Sequence, residues 1–287
     1  MLPNNKNICL IECPRDAMQG WSEYIPVEKK AAYLNTLLKV GFDVLDFGSF
    51  VSEKAIPQLR DTRQVLEKLD LSETKTKLLA IIANVRGAKD AVAFEHISYL
   101  GFPFSISEEF QKRNTNSTIA ESLKRVEEIQ SLCLANKKEL LIYISMGFGN
   151  PYREIWNADI VIHWVKQLNE IGIKTISIAD TIGVSNPDNI NHLFSNLIPS
   201  FKNIDFGAHL HSNPASWFEK VDAAVKSGCR RFDAAFKGIG GCPMADDHLV
   251  GNLATENIVS YFGGTEPLGL NQDYYFNAGE MANMIFQ

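Results

Sequence analysis

The chain has 287 residues, 45% of them hydrophobic and 22% charged, with a formal net charge of -6. Those values belong to a soluble globular protein with enough material for a large core. They argue against a general nucleic-acid binder, although a local cluster of Arg and Lys can still hold a small anion. No apolar run approaches the roughly 20 residues that a membrane-spanning helix needs. The first residues lack the apolar segment of a secretory signal, and Cys9, Cys13, Cys133, Cys229 and Cys242 form no disulfide-rich pattern. A reducing cytoplasm is therefore the expected compartment.

Apolar, β-branched runs alternate with amphipathic stretches along the whole chain. In chain order the reading is strand 8–12, helix 27–39, strand 44–47, helix 60–69, strands 77–83 and 96–101, and helix 119–136. It continues as strand 140–146, helix 158–171, strand 174–179, helix 187–197, strand 204–211, helix 215–227, strand 231–236 and helix 253–262. Thr118 and Glu121 have capping-box spacing, and Asn186 precedes a proline at the first helical position. Gly41, Gly172 and Gly228 each close a helical pattern just before a strand. Alternating strands and helices predict parallel βαβ units, and this number of them fits an α/β fold of the (β/α)8 TIM-barrel type better than an open doubly wound sheet. No linker divides the chain. A single domain is expected over 1–287, with the barrel at about 8–262 and a terminal turn and helix at 263–287.

A barrel gathers its chemistry at the C-terminal ends of its strands. Those positions carry Arg15 and Asp16 after strand 1, Asp46 on strand 2, Asn84 after strand 3 and Asp180 after strand 6. Strand 7 ends in His209-Leu210-His211, and strand 8 runs into a glycine-rich segment with Cys242. Each has a plain reading: Asp180 as a helix cap, Asp16 as the ion partner of Arg15, the histidines as unrelated polar residues. Residues two apart on a strand share a face, however, and barrel closure brings strand 1 beside strand 8 and near strand 7. Asp16 can then join His209 and His211 in a site for a divalent cation with positions left for substrate oxygens.

Pro14-Arg15-Asp16, His209-Leu210-His211, Gly240-Gly241-Cys242-Pro243 and Gly251-Asn252-Leu253-Ala254-Thr255-Glu256 together resemble the 3-hydroxy-3-methylglutaryl-CoA lyase family. Ser49-Phe50-Val51-Ser52, Lys112-Arg113-Asn114 and the segment from Asp180 to Val184 extend the resemblance over nearly the whole chain. It implies retro-Claisen cleavage to acetyl-CoA and acetoacetate, with Mg²⁺ or Mn²⁺ as the cation. Asp16, His209, His211 and Asn252 would hold the metal. Arg15 would face the thioester oxygen, Cys242 would carry a proton, and Asp46 and Asp180 would complete the catalytic set. Gln19 and Asn84 would lie around the substrate. The implied partner is a small acyl-CoA, with no nucleic acid or membrane and with a homodimer left open. Leucine degradation is a family pathway.

The chain departs from that pattern at several points. Ala17-Met18 replaces Gly-Leu, Asp46 replaces Glu, Ser212-Asn213-Pro214 replaces Asp-Thr, and the segment after Cys242 is longer and more acidic. These differences keep another acyl-CoA or hydroxyacid open as substrate. The alternatives are a related metal-dependent aldolase or Claisen-condensing enzyme, and a barrel that binds without catalysing.

Overall fold

Strand side chains alternate between two faces, and here both faces are covered. The computed structural model describes residues 8–241 and 250–287. Its parallel strands are β1 (Cys9–Glu12), β2 (Val44–Ser49), β3 (Lys77–Ile81), β4 (Ile97–Ser105), β5 (Glu139–Ser145), β6 (Thr175–Ala179), β7 (Asp205–His209) and β8 (Arg231–Ala234). They close in sequence order, with Cys9 to Glu12 in register with Arg231 to Ala234 at the seam. The expected TIM barrel is the fold observed.

The helices are α1 (Pro14–Gln19), α2 (Val27–Val40), α3 (Thr62–Glu67), α4 (Val85–Val92), α5 (Glu108–Thr115), α6 (Ile119–Ala135), α7 (Ala158–Glu170), α8 (Pro187–Ser200), α9 (Trp217–Lys226), α10 (Thr255–Tyr261) and α11 (Gln272–Ile285). Thr118 and Glu121 make the expected capping box at α6, and Asn186 caps α8. Gly41 adopts the left-handed conformation that ends α2, a position where a Cβ would be strained.

Leu10, Leu45, Leu100, Ile142, Ile176 and Phe232 point outward from the barrel and are buried beneath the helices. Ile11, Val44, Leu79, Tyr99 and Leu141 belong to the smaller inner cluster. Burial of each such side chain contributes about 1.5–3 kcal/mol. The structure extends or trims several readings, with the third strand ending at Ile81 and the eighth at Ala234. The fourth strand continues past Gly101 to Ser105 and the seventh stops at His209, while α1, α4 and α5 fill stretches read as connections.

Glu12 faces the helix layer and is fully buried. It accepts from Thr255 Oγ1 at 2.5 Å and from the Phe236 amide at 3.0 Å. Burial pushes its pKa from 4.5 up to about 8, against these two bonds. The folded chain therefore holds a proton that the unfolded chain releases between those values, and stability falls as pH rises across that window. Glu12→Gln keeps the geometry without the charge. It should raise the melting temperature near pH 9 by about 2–4 °C, on the order of 1 kcal/mol, and have little effect near pH 5. Calorimetric melts at both pH values check this.

Candidate active site

Pro14 starts α1 immediately after β1, where its fixed φ and missing N–H suit the first helical position. The turn that follows places Arg15 and Asp16 on the inner rim, 7% and 6% exposed. Arg15 donates from Nε and Nη2 to the Asp46 carboxylate, with its contacts to Oδ2 at 2.9 and 2.6 Å. Its Nη1 reaches Asp16 Oδ1 at 2.9 Å and Gln19 Oε1 at 2.8 Å. Gln19 Nε2 closes the ring by donating to Asp16 Oδ1 at 2.6 Å. A planar guanidinium meets two carboxylates and an amide here through a rigid fork, a geometry that the point charge of an ammonium does not reproduce.

His209 and His211 come from the same face of the seventh strand and its extension. Their Nε2 atoms lie 3.3 Å apart. His211 forms an isolated antiparallel bridge with Asn252, and Asn252 Nδ2 donates to Asp16 Oδ2 at 2.7 Å and to the Ile239 carbonyl at 2.9 Å. Glycine is required where these segments meet. A Cβ on Gly251 would sit 2.2 Å from the Gly238 carbonyl oxygen, and one on Gly240 would sit 2.5 Å from Asn252 Nδ2.

The charges are tightly matched. Burial alone would raise the Asp16 carboxyl, but Arg15 and then His209 outweigh it and hold the pKa below its ordinary value. Burial pushes Asp46 up to about 6 despite Arg15. Burial together with the neighbouring His209 lowers His211 to about 4. Burial opposes protonation of His209 as well, yet its bond to Asp233 turns the net shift upward.

These groups open onto a cleft that is continuous with solvent. Arg15, Asp16, Gln19, His209 and His211 form its polar side. Val51, Ile56, Ile81, Pro103 and Phe110 give it apolar lining. Such a chamber pairs a charged reacting end with a surface for a carbon chain.

The expected residues divide into groups. Arg15, Asp16, Gln19, His209 and His211 line the cavity, and Asn252 is bonded to Asp16. Asp46 is fully buried behind Arg15 and orients it. Two of the expected residues lie away from these lining groups. Asn84 does not line the cavity; its Oδ1 accepts from the Gly87 amide at 2.9 Å and caps α4. Nor is Asp180 among the lining groups. Ala179 and Thr181 face the cavity, so the alternation turns Asp180 toward the helices. There it accepts from Lys220 Nζ at 2.9 Å and from the Ser185 hydroxyl at 2.5 Å. Lys220 also donates to the carbonyls of Gly183 and His211, so one ammonium braces the rim from outside. Cys242 lies outside the described residues.

The donor chemistry suits a hard-to-borderline divalent cation. Two facing imidazole nitrogens stand beside a carboxylate and a carboxamide, a mixed nitrogen and oxygen set. Asp16 spends its oxygens on Arg15, Gln19 and Asn252, so among the described residues no three His, Cys, Asp or Glu side chains form a finished cage. Asp16 Oδ2 accepts one bond, from Asn252, and keeps a lone pair that a cation could use.

Comparison with known proteins agrees with this geometry. The HMGL-like family model matches residues 8–273. The hydroxymethylglutaryl-CoA lyase of Bacillus subtilis is 30% identical over 259 residues, covering 90% of this chain and 86% of that protein. The human cytoplasmic 3-hydroxy-3-methylglutaryl-CoA lyase is 29% identical, covering 90% of this chain and 68% of the relative. The structure of an HMG-CoA lyase from Acinetobacter baumannii, in complex with coenzyme A and 3-methylmalate, superposes with a TM-score of 0.89 at 28% identity. The match covers 100% of this chain and 93% of that one. With an arginine, two histidines and two carboxylates on the catalytic rim of a closed barrel, the chain belongs to the HMGL-like family and is an enzyme of the lyase type.

Proposed function

We propose that this enzyme cleaves 3-hydroxy-3-methylglutaryl-CoA to acetyl-CoA and acetoacetate by a retro-Claisen reaction. The observation that carries the reading is Arg15, a permanent cation held at the cavity wall beside the facing His209 and His211. The tertiary hydroxyl must lose its proton while the electrons of the breaking carbon–carbon bond pass into the acetyl-CoA enolate, which then takes a proton at carbon. A divalent cation, Mg²⁺ or Mn²⁺, held by Asp16, His209, His211 and Asn252, would supply Lewis acidity at that hydroxyl.

The remaining work falls to the chain's own groups. Arg15 meets the negative charge that develops on the thioester oxygen, without a protonation cost, and Asp46 fixes its direction. Gln19 ties Arg15 to Asp16, accepting from the first and donating to the second. Val51, Ile56 and Phe110 exclude water from the acyl chain. Cys242 is assigned the proton transfer from sequence alone. Among the described residues no helix is long and apolar enough to cross a membrane, and the four described cysteines are free thiols. The cytoplasm is the proposed compartment.

Purified protein given Mg²⁺ or Mn²⁺ and 3-hydroxy-3-methylglutaryl-CoA should release acetoacetate, with turnover lost in Cys242→Ala. Cleavage of a CoA-free 4-hydroxy-2-oxoacid with no acetoacetate from the thioester would replace this reading with the aldolase alternative.

A further inference from the structure

Inside the barrel, beneath the two imidazoles, β8 carries Arg231 and Asp233, each 2% exposed. A carboxylate so deeply buried needs partners for its charge. Asp233 Oδ2 accepts from Ser177 Oγ at 3.0 Å and lies 3.1 Å from His209 Nδ1. Arg231 does not bond it. Nη1 of that arginine lies 3.3 Å from Cys9 Sγ and 3.4 Å from Asp205 Oδ2, and its guanidinium stacks over Tyr99. Arg231 acts on Asp233 through space, while the bonded oxygen of Asp233 is turned to Ser177 and His209. Tyr143 packs against that imidazole in an edge-to-face arrangement, with ring centroids 5.4 Å apart. The ring is thus fixed in rotation by an aromatic face and in polarity by a carboxylate.

We propose that Asp233 is a positioning residue which keeps the proton of His209 on Nδ1, so that the Nε2 lone pair faces the cavity beside His211 and Asp16. A buried carboxylate accepts the Nδ1 hydrogen, and the opposite tautomer would set two lone pairs against each other across 3.1 Å. Only an unprotonated Nε2 can bind a cation, so the orientation of a metal ligand is set from within the barrel. Ser177 on β6 holds Asp233 in turn, which links three adjacent strands. The inference rests on the cation-holding role proposed above, and on no particular substrate.

The test begins with the unaltered protein. Nitrogen-15 spectra of the metal-free protein, taken where the His209 ring is neutral, should show its single ring proton on Nδ1. An Nε2–H form would overturn the proposal. Asp233→Asn presents an amide that can donate to Nδ1 and should move the proton to Nε2. Calorimetry should then show Mn²⁺ affinity reduced about 10–100-fold, while Ser177→Ala changes it less. Unchanged Mn²⁺ affinity in a folded Asp233→Asn protein would also overturn it. Loss of affinity with Asp233→Asn, in a protein whose parent releases no acetoacetate, would uphold the positioning role and reject the assigned reaction.

Discussion

Replacing Arg15 with methionine should lower kcat on 3-hydroxy-3-methylglutaryl-CoA by about 10³-fold, roughly 4 kcal/mol of lost transition-state stabilisation. The change removes the one Arg or Lys that, among the described residues, lines the cavity, while leaving the apolar lining intact. It also leaves Asp46 fully buried without its partner, and that carboxyl, already pushed up to about 6, will rise further and become neutral. Arg15→Lys separates charge from shape. A single ammonium can approach Asp46 or Asp16 but cannot span Asp46, Asp16 and Gln19 together. It should recover part of the rate, leaving a deficit of about 10²-fold. Steady-state kinetics beside a melting curve provide the check. If both variants melt lower but the folded fraction turns over at the parental rate, Arg15 supports structure and not catalysis.

Loss of the His209 side chain is the second large effect. His209→Ala deletes one of the two facing nitrogens and leaves Asp233 with only Ser177 on its bonded oxygen. Mn²⁺ affinity measured by calorimetry should fall at least about 100-fold, and acetoacetate release should drop below detection at micromolar metal. Unchanged affinity would remove His209 from the metal site and transfer its weight to His211 and Asn252. Restoring saturating Mn²⁺ then tells binding from chemistry. Recovered turnover assigns His209 to metal affinity alone, while a persistent deficit assigns it also to the geometry of the bound ion.

The barrel was legible in the sequence because its signal is repetitive. Eight apolar runs with helices between them leave little freedom once the connections are short. His209 and His211 were legible for a local reason, since two-residue spacing on a strand fixes a shared face. The same rule, carried one residue further, separates Asp180 from that set. Ser177, Ala179 and Thr181 share an inward phase, and Asp180 is out of phase with them. Its carboxylate meets Lys220, a residue 40 positions away whose role only the packing of α9 reveals. Asp233 was missed although it stands inside an apolar strand two residues after Arg231, in the same inward phase. A buried charge in the middle of a barrel strand is itself a signal of an internal partner. Pro103 obscured the end of β4, since proline is a poor central-strand residue, yet the strand continues in register with β5 through Ser105. Helix α5 is short and polar, so its apolar periodicity was weak. Ser107 as its cap and Glu109 paired with Arg113 were the available signs.

The external brace by Lys220 has a consequence for anyone reshaping this enzyme. All three ammonium hydrogens are committed, to Asp180 and to the carbonyls of Gly183 and His211. The β6–β7 half of the rim is therefore a poor place to introduce new side chains, because a change there loosens the strand that presents His211. Val51 and Ile56 come from the segment after β2 and Phe110 from α5; these side chains share none of these bonds and line the cavity with apolar surface. Substrate range should be the property most easily redirected by exchanging volume at those three positions, with the reacting groups left in place.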